Sequence, residues 1–270
     1  MKTVITLIGS LFICAIVSAS IVKSNIAGRQ SNIACAKDEG LSAKSYVQDG
    51  LAHQWDGIEN VGYGIHDGSA STWIDLVSGV PMKNVKFGDD HAIPTGNTMT
   101  DSRVGYYPFY ITGDFTMHGY LVNPPRVWVH WTEIGIGKGA GCENGICLSA
   151  RDGAVNYSVC YRSAYSGTIY AIVHTGTTAG DMYSIDVLFQ YSTKTYWVYV
   201  DGVLKGSAII QEENWNLDGQ ALSVGFGLFQ RLDMMGDFKV FDFMFYNRML
   251  SEEEIIYNYE LDSRRFGNDY

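Results

Sequence analysis

The 270 residues are 46% hydrophobic and 13% aromatic, with 18 Tyr and 6 Trp, enough apolar area to offset the entropy of ordering, which excludes a disordered chain. Nineteen basic residues against 29 acidic ones leave a net charge of −10, which disfavours nucleic-acid binding because phosphate backbones are repelled. No long apolar run follows residue 22, so a polytopic membrane protein is excluded.

Lys2 precedes an uncharged stretch from Val4 to Val22, closed by Lys23, with small residues at Ser18, Ala19 and Ser20. That layout predicts a secretory signal peptide over residues 1–22, cleaved after Ala19. The alternative is an uncleaved signal anchor, since the stretch is nearly long enough to span a bilayer. In either case the protein is expected to be secreted or held at the cell surface. Residues 23–44 are small and polar and read as a flexible linker, followed by one ordered domain over residues 45–270.

From Tyr46 to Ser223, short runs of aromatic and β-branched residues are punctuated by Gly, Asn and Asp. Val127–Trp131, Ile169–His174 and Tyr183–Gln190 read as strands. Ile146–Tyr161, with Asp152-Gly153 at its middle, reads as a hairpin. The clearest hairpin runs from Tyr196–Val200 through Asp201-Gly202 into Val203-Leu204. Large apolar residues on both sides of its first strand predict burial on both faces. Strands do not alternate with helices, which excludes a parallel α/β fold. The expectation is an all-β, two-sheet antiparallel sandwich.

Four cysteines follow Cys14: Cys35, Cys142, Cys147 and Cys160. Cys142 and Cys147 flank Asn144-Gly145, a hairpin signal, and are expected to form a disulfide across a short loop. The alternatives are a zinc site, which this spacing suits poorly, and free buried thiols.

One helix closes the sequence. Ser251-Glu252-Glu253-Glu254 has the form of a capping box, with the glutamates at the positive end of the helix dipole. Ile255, Ile256, Tyr259 and Leu261 supply an apolar stripe, and Glu260 and Asp262 are expected on a solvated face. The six histidines are scattered. A Gly-x-Ser-x-Gly elbow, a phosphate-binding glycine loop and a His-Glu-x-x-His motif are all missing, which argues against those chemistries.

The block from Gly236 through Tyr246-Asn247-Arg248-Met249-Leu250-Ser251 to Ile255 resembles the end of laminin-G-like domains of the concanavalin A-like lectin/glucanase superfamily. Tyr199-Val200-Asp201-Gly202 is similar to a hairpin those domains carry about 40 residues earlier. Gly50–Asp56, Thr72–Gly79 and Gly113–Met117 look like earlier landmarks, with Tyr120 where the family usually has Trp. The resemblance covers roughly residues 46–267 and implies a jelly-roll sandwich of two curved sheets with one short C-terminal helix. It does not by itself imply an activity.

Within that family the hydrolases carry a Glu-x-Asp-x-Glu strand, which this chain lacks. Glu260-Leu261-Asp262 has part of the spacing, and Glu133 is the other glutamate considered. Hydrolysis by two facing carboxylates about 5–5.5 Å apart is therefore not expected, and the chain is expected to be no enzyme and to have no catalytic residue. Many relatives hold calcium between loops, so Asp89, Asp90 and Asp114 are the metal candidates, with Asp56, Asp67 and Asp75 behind them. For sugar binding, Tyr106, Tyr107 and Tyr110 lie beside Arg103, and Trp73 and Trp215 are further aromatic candidates. The expected function is exported, non-catalytic recognition of a glycan or surface polymer. The alternatives are a structural or adhesive envelope protein and a divergent glycoside hydrolase.

Overall fold

The structure, a computed structural model, describes residues 40–83, 85–94, 107–109, 113–123, 134–138, 143–150, 156–162, 169–178, 180–211, 220–224 and 239–267. The chain divides into two compact units, Gly40–Asp262 and Met1–Glu39 together with Ser263–Tyr270. The sandwich lies in the first. The stretch expected to be a signal segment, the strand expected over Val127–Trp131, Arg103, Tyr106, Tyr110, Glu133, Cys142 and Trp215 lie outside the described residues, and Tyr107 is placed by its backbone alone.

The fold is all-β with one C-terminal helix. The larger sheet has eight strands. Its order is β14 (Val203–Ile209), β13 (Thr195–Val200), β12 (Met182–Gln190), β7 (Phe115–Val122), β16 (Lys239–Tyr246), β5 (Ala92–Pro94) and β4 (Val85–Phe87), and β1 (Leu51–Asp56) also pairs with β16. The second sheet runs β11 (Ile169–Thr178), β10 (Asn156–Arg162), β9 (Glu143–Ala150), β8 (Ile134–Lys138), β15 (Gln220–Val224) and β6 (Tyr107–Phe109). A small hairpin joins β2 (Thr72–Ile74) to β3 (Pro81–Lys83). Every pairing is antiparallel.

Alternation of side chains along a strand decides which residues meet. On β7, β12, β13 and β16 the residues Phe115, Met117, Tyr183, Ile185, Val187, Tyr196, Val198, Phe243 and Phe245 join one buried cluster with Ile146, Leu148, Tyr157 and Val159 of the second sheet. Tyr196 Oη donates to the Val159 carbonyl at 3.3 Å, tying the two layers together. The opposite face of the larger sheet is covered as well. There Leu188, Met244 and Tyr246 pack with Tyr46, Leu250, Ile255 and Leu261, from the segment ahead of β1 and from helix α1 (Glu252–Phe266).

Two local expectations are corrected. Asn144-Gly145 lies inside β9 rather than in a turn, and Cys147 stands directly opposite Cys160 of β10, their Sγ atoms 3.8 Å apart. The register of the long β9–β10 pairing overrides the local turn signal, so Cys147 has a neighbour other than Cys142. On β13, buried Tyr196, Val198 and Val200 alternate with half-buried Trp197 and Tyr199, because α1 covers the outer face only in part.

The helix start forms as its residues dictate. The Glu254 amide donates to Ser251 Oγ at 3.3 Å and the Ser251 amide to Glu254 Oε2 at 2.9 Å, closing a reciprocal cap. Arg248 grips the same carboxylate with two bonds of 2.7 Å and also donates to the Asp49 carbonyl at 3.1 Å. The Tyr-Asn-Arg-x-Leu-Ser-x-x-Glu block is thus a clamp holding the end of β16, the start of β1 and the first turn of α1.

Candidate functional site

At the edge of the larger sheet, β4 and the β2–β3 hairpin border an open groove of about 620 Å³. It is lined by the stretch Gly68–Thr72 and by Lys83, Val85, Lys86 and Phe87. Lys83 pairs across the hairpin with Thr72, so the cation and the hydroxyl wall share a ladder. The Gly68–Thr72 wall is braced from behind. Asn60 is fully buried and forms two bonds with the Asp67 backbone, of 2.8 and 2.9 Å. The Asp67 carboxylate in turn accepts from the Ser69 amide and hydroxyl at 2.8 and 2.6 Å. Those two bonds hold the Asp67 carboxyl below its ordinary pKa. The loop is therefore set before any ligand arrives.

Trp73, expected to touch a ligand, instead lies beneath this groove. It is 0% exposed, donates Nε1–H to the Asp56 carbonyl at 2.9 Å, and meets the Phe87 ring edge to face at 6.2 Å. The large ring is buried because β2 sits over the sandwich core. Its part is to support Phe87. Ser69, Ser71, Thr72, Lys83 and Lys86 were not singled out by the sequence, since no spacing joins a loop to a strand ten residues later.

The calcium set is also corrected. Asp90 accepts from His91 Nδ1 at 2.8 Å, and Asp114 accepts from the Tyr191 amide at 2.8 Å. β5, which follows Asp90, and β7, which follows Asp114, flank β16 on opposite sides. Ala92 pairs with Val240 at one end of β16 and Thr116 with Tyr246 at the other, so at about 3.3 Å per residue Asp90 and Asp114 lie roughly 20 Å apart along the sheet. Asp89, Asp90 and Asp114 therefore do not share an ion whose ligands sit at about 2.3–2.6 Å. Asp75 is fully buried with partners of its own. His53 Nδ1 stands 2.6 Å from its carboxylate, the Gln54 and Val77 amides donate at 2.9 and 3.0 Å, and the Ser78 hydroxyl donates as well.

A second polar constellation lies between the larger sheet and α1, in the layer expected to be solvated. His118 on β7 and Asp186 on β12 are direct cross-strand partners, with Nδ1 2.8 Å from Oδ1. His118 Nε2 faces Asp262 Oδ2 at 3.2 Å and Asp242 Oδ1 at 3.7 Å. Tyr46 Oη lies 2.7 Å from Asp242 Oδ2 and 2.8 Å from Asp262 Oδ1. His118, Asp242 and Asp262 are all 0% exposed, so Asp262 contradicts the solvated helix face expected for it. Burial depresses His118, but Asp186 and Asp262 outweigh it and hold the imidazole well above its ordinary pKa. Burial and the neighbouring Asp262 push Asp242 well above the usual carboxylate range. The sequence did carry one signal. Asp242 interrupts the run Val240-Phe241-Asp242-Phe243-Met244-Phe245, and a charge within so apolar a strand needs a partner.

No family model and no curated protein matches the chain. Solved structures do. A Trypanosoma rangeli sialidase in complex with sialic acid matches with a TM-score of 0.55 and 16% identity over 94% of this chain and 40% of the sialidase. The ligand-binding domain of botulinum neurotoxin serotype D, in complex with N-acetylneuraminic acid, matches with a TM-score of 0.50 and 16% identity over 78% of this chain and 51% of the domain. The binding domain of Paraclostridial Mosquitocidal Protein 1 matches at 0.51 and 14%, over 78% and 52%. The chain thus spans about two fifths of the sialidase it resembles, and the likeness is one of fold.

These neighbours overturn the expectation of a non-catalytic protein, because sialidases are glycoside hydrolases. The physical reason lies in the criterion. Paired carboxylates are required of most glycosidases, but sialidases use a tyrosine nucleophile. The lack of a Glu-x-Asp-x-Glu strand therefore never separated this chain from that class.

Proposed function

We propose that the chain engages sialylated glycans at the groove between β2–β3 and β4, as the sandwich of a sialidase-type system. The observation that carries this reading is that Lys83 and Lys86 line the same groove as Ser69, Ser71 and Thr72. Two exposed ammonium groups on a protein of net charge −10 make a local exception suited to a carboxylated sugar. Phe87, backed by Trp73, offers an apolar surface to a ring face. The neighbours solved with sialic acid and N-acetylneuraminic acid support that ligand class.

The test is a glycan array read with and without prior removal of sialic acid, with hydrolysis of a fluorogenic sialoside measured in parallel. Binding that disappears on desialylation, and that falls at least about tenfold in Lys83→Ala/Lys86→Ala, is expected, a loss of about 1.4 kcal/mol or more. Equal signals on sialylated and desialylated glycans overturn the proposal. Fluorophore release by the full chain places cleavage on this polypeptide, and its absence assigns the chain to glycan engagement within the system.

A further inference from the structure

We propose that His118, Asp242 and Asp262 form a buried binding site for a divalent cation of the zinc class, with Asp186 orienting the histidine and Tyr46 bracing the two aspartates.

The geometry comes first. One ligand atom from each of the three residues lies within 4.8 Å of the others. Nε2 of His118 is 3.2 Å from Asp262 Oδ2 and 3.7 Å from Asp242 Oδ1. Zinc bonds of about 2.0–2.1 Å in a tetrahedron put neighbouring ligand atoms about 3.3–3.4 Å apart. The observed separations bracket that value.

The surrounding contacts match a metal centre in a second way. A ligating histidine usually gives its other ring nitrogen to a carboxylate, which sets the tautomer and the ring orientation. Here Nδ1 is held by Asp186 at 2.8 Å, leaving Nε2 aimed at the two aspartates. Tyr46 Oη touches one oxygen of each aspartate, so both carboxylates are oriented from outside the cluster. The phenol has a single hydrogen to donate to two acceptors.

The third observation is an unanswered ligand atom. Asp262 Oδ2 is buried and has no hydrogen-bond partner, although His118 Nε2 is close to it. Asp186 Oδ2 is likewise buried without a partner. Burying a carboxylate oxygen unpaired is costly. Three buried carboxylates face one imidazole, so His118 alone cannot balance all of them in their ionised form. A divalent ion at Nε2, Asp242 and Asp262 supplies the missing positive charge and a bond for Asp262 Oδ2, whose only polar neighbour among the described contacts is His118 Nε2. A mixed nitrogen and oxygen donor set of this size suits zinc or its neighbours. Calcium prefers six to eight oxygens.

The full chain, expressed in zinc-supplemented medium, is analysed for metal by mass spectrometry and melted with and without a strong chelator. About one zinc per chain and a chelator-induced fall in Tm are expected. Cobalt added to the stripped wild-type protein is expected to give the visible absorption of a tetrahedral site, a readout that needs no variant. Asp186→Asn, which leaves all three ligands in place, is expected to weaken metal affinity about 10–100-fold. Calcium is expected to leave the melting curve unchanged. The proposal is overturned if stripped wild-type protein takes up neither zinc nor cobalt. It is also overturned if folded His118→Ala keeps the wild-type metal content, which would place the ion elsewhere. None of these readouts involves a glycan, so this site and the groove stand or fall separately.

Discussion

Asp75 shows how a buried carboxylate is kept charged. Burial pushes its pKa up, but the His53 ring, the Gln54 amide, the Ser78 hydroxyl and the Val77 amide together hold it below the ordinary value of 3.8. A lowered folded pKa stabilises the fold above the unfolded value, and this contribution is lost as pH falls through the folded one. Asp75→Asn is therefore expected to cost about 2–3 kcal/mol near neutral pH, on the scale of lost charged hydrogen bonds. In urea melts the gap between wild type and variant should narrow only below about pH 4. A gap independent of pH would reject the assignment. At this scale the sequence was a partial guide. Residue type marked Trp73 as notable but could not tell a surface ring from one filling the core, since large sandwiches use Trp and Tyr for both. Asp262 was read as solvated because helix periodicity reports what faces the core only when that core is apolar, and here it holds a polar cluster.

At the scale of elements, two equally strong local turn signals had opposite outcomes. Asp201 and Gly202 both adopt positive φ, +52° and +71°, as a two-residue hairpin turn requires. A Cβ on Gly202 would also meet Ile256 Cγ1 of α1 at 3.3 Å. Gly202→Ala is expected to cost about 1–2 kcal/mol, measured by thermal melting, with β13 and β14 losing amide-exchange protection first. Asn144-Gly145 carried an equally strong dipeptide signal and failed, because cross-strand pairing over the length of β9 outweighs one local preference. That pairing has a chemical consequence. Refolding under mild oxidation is expected to link Cys147 to Cys160, each thiol losing a proton and an electron to the oxidant, and peptide mapping would identify the bond. Recovery of a Cys142–Cys147 peptide instead would restore the short-loop disulfide. The capping box was legible because Ser251 and Glu254 are three residues apart, whereas the Arg248 fork onto the same carboxylate was not singled out. The groove was not, since its walls come from a loop and strands joined only by folding.

For the whole molecule, the acidic balance and the two groove lysines make opposing electrostatic statements. The bulk charge of −10 repels an anionic glycan at long range, whereas Lys83 and Lys86 attract it locally. Salt screens the distant repulsion over a Debye length of about 8–10 Å. Affinity for a sialylated ligand should therefore change little up to physiological ionic strength and fall only at higher salt. A monotonic fall of more than about tenfold between low and physiological salt, measured by titration calorimetry, would contradict this balance. The all-β architecture itself was readable from short aromatic runs and frequent turn residues. Which face of the larger sheet α1 partly covers was not, because a period of two shows that a strand has two different faces without saying what lies beyond either.

The grip of Tyr46 on Asp242 and Asp262 joins positions separated by 196 and 216 residues. During synthesis, then, every residue through Asp262 must leave the ribosome before this clasp can close. Until that moment the acids of β12 and β16 stand open to water, and the nascent sandwich lacks its back cover. Premature termination anywhere before α1 should yield a product that proteases clear, however complete its strands.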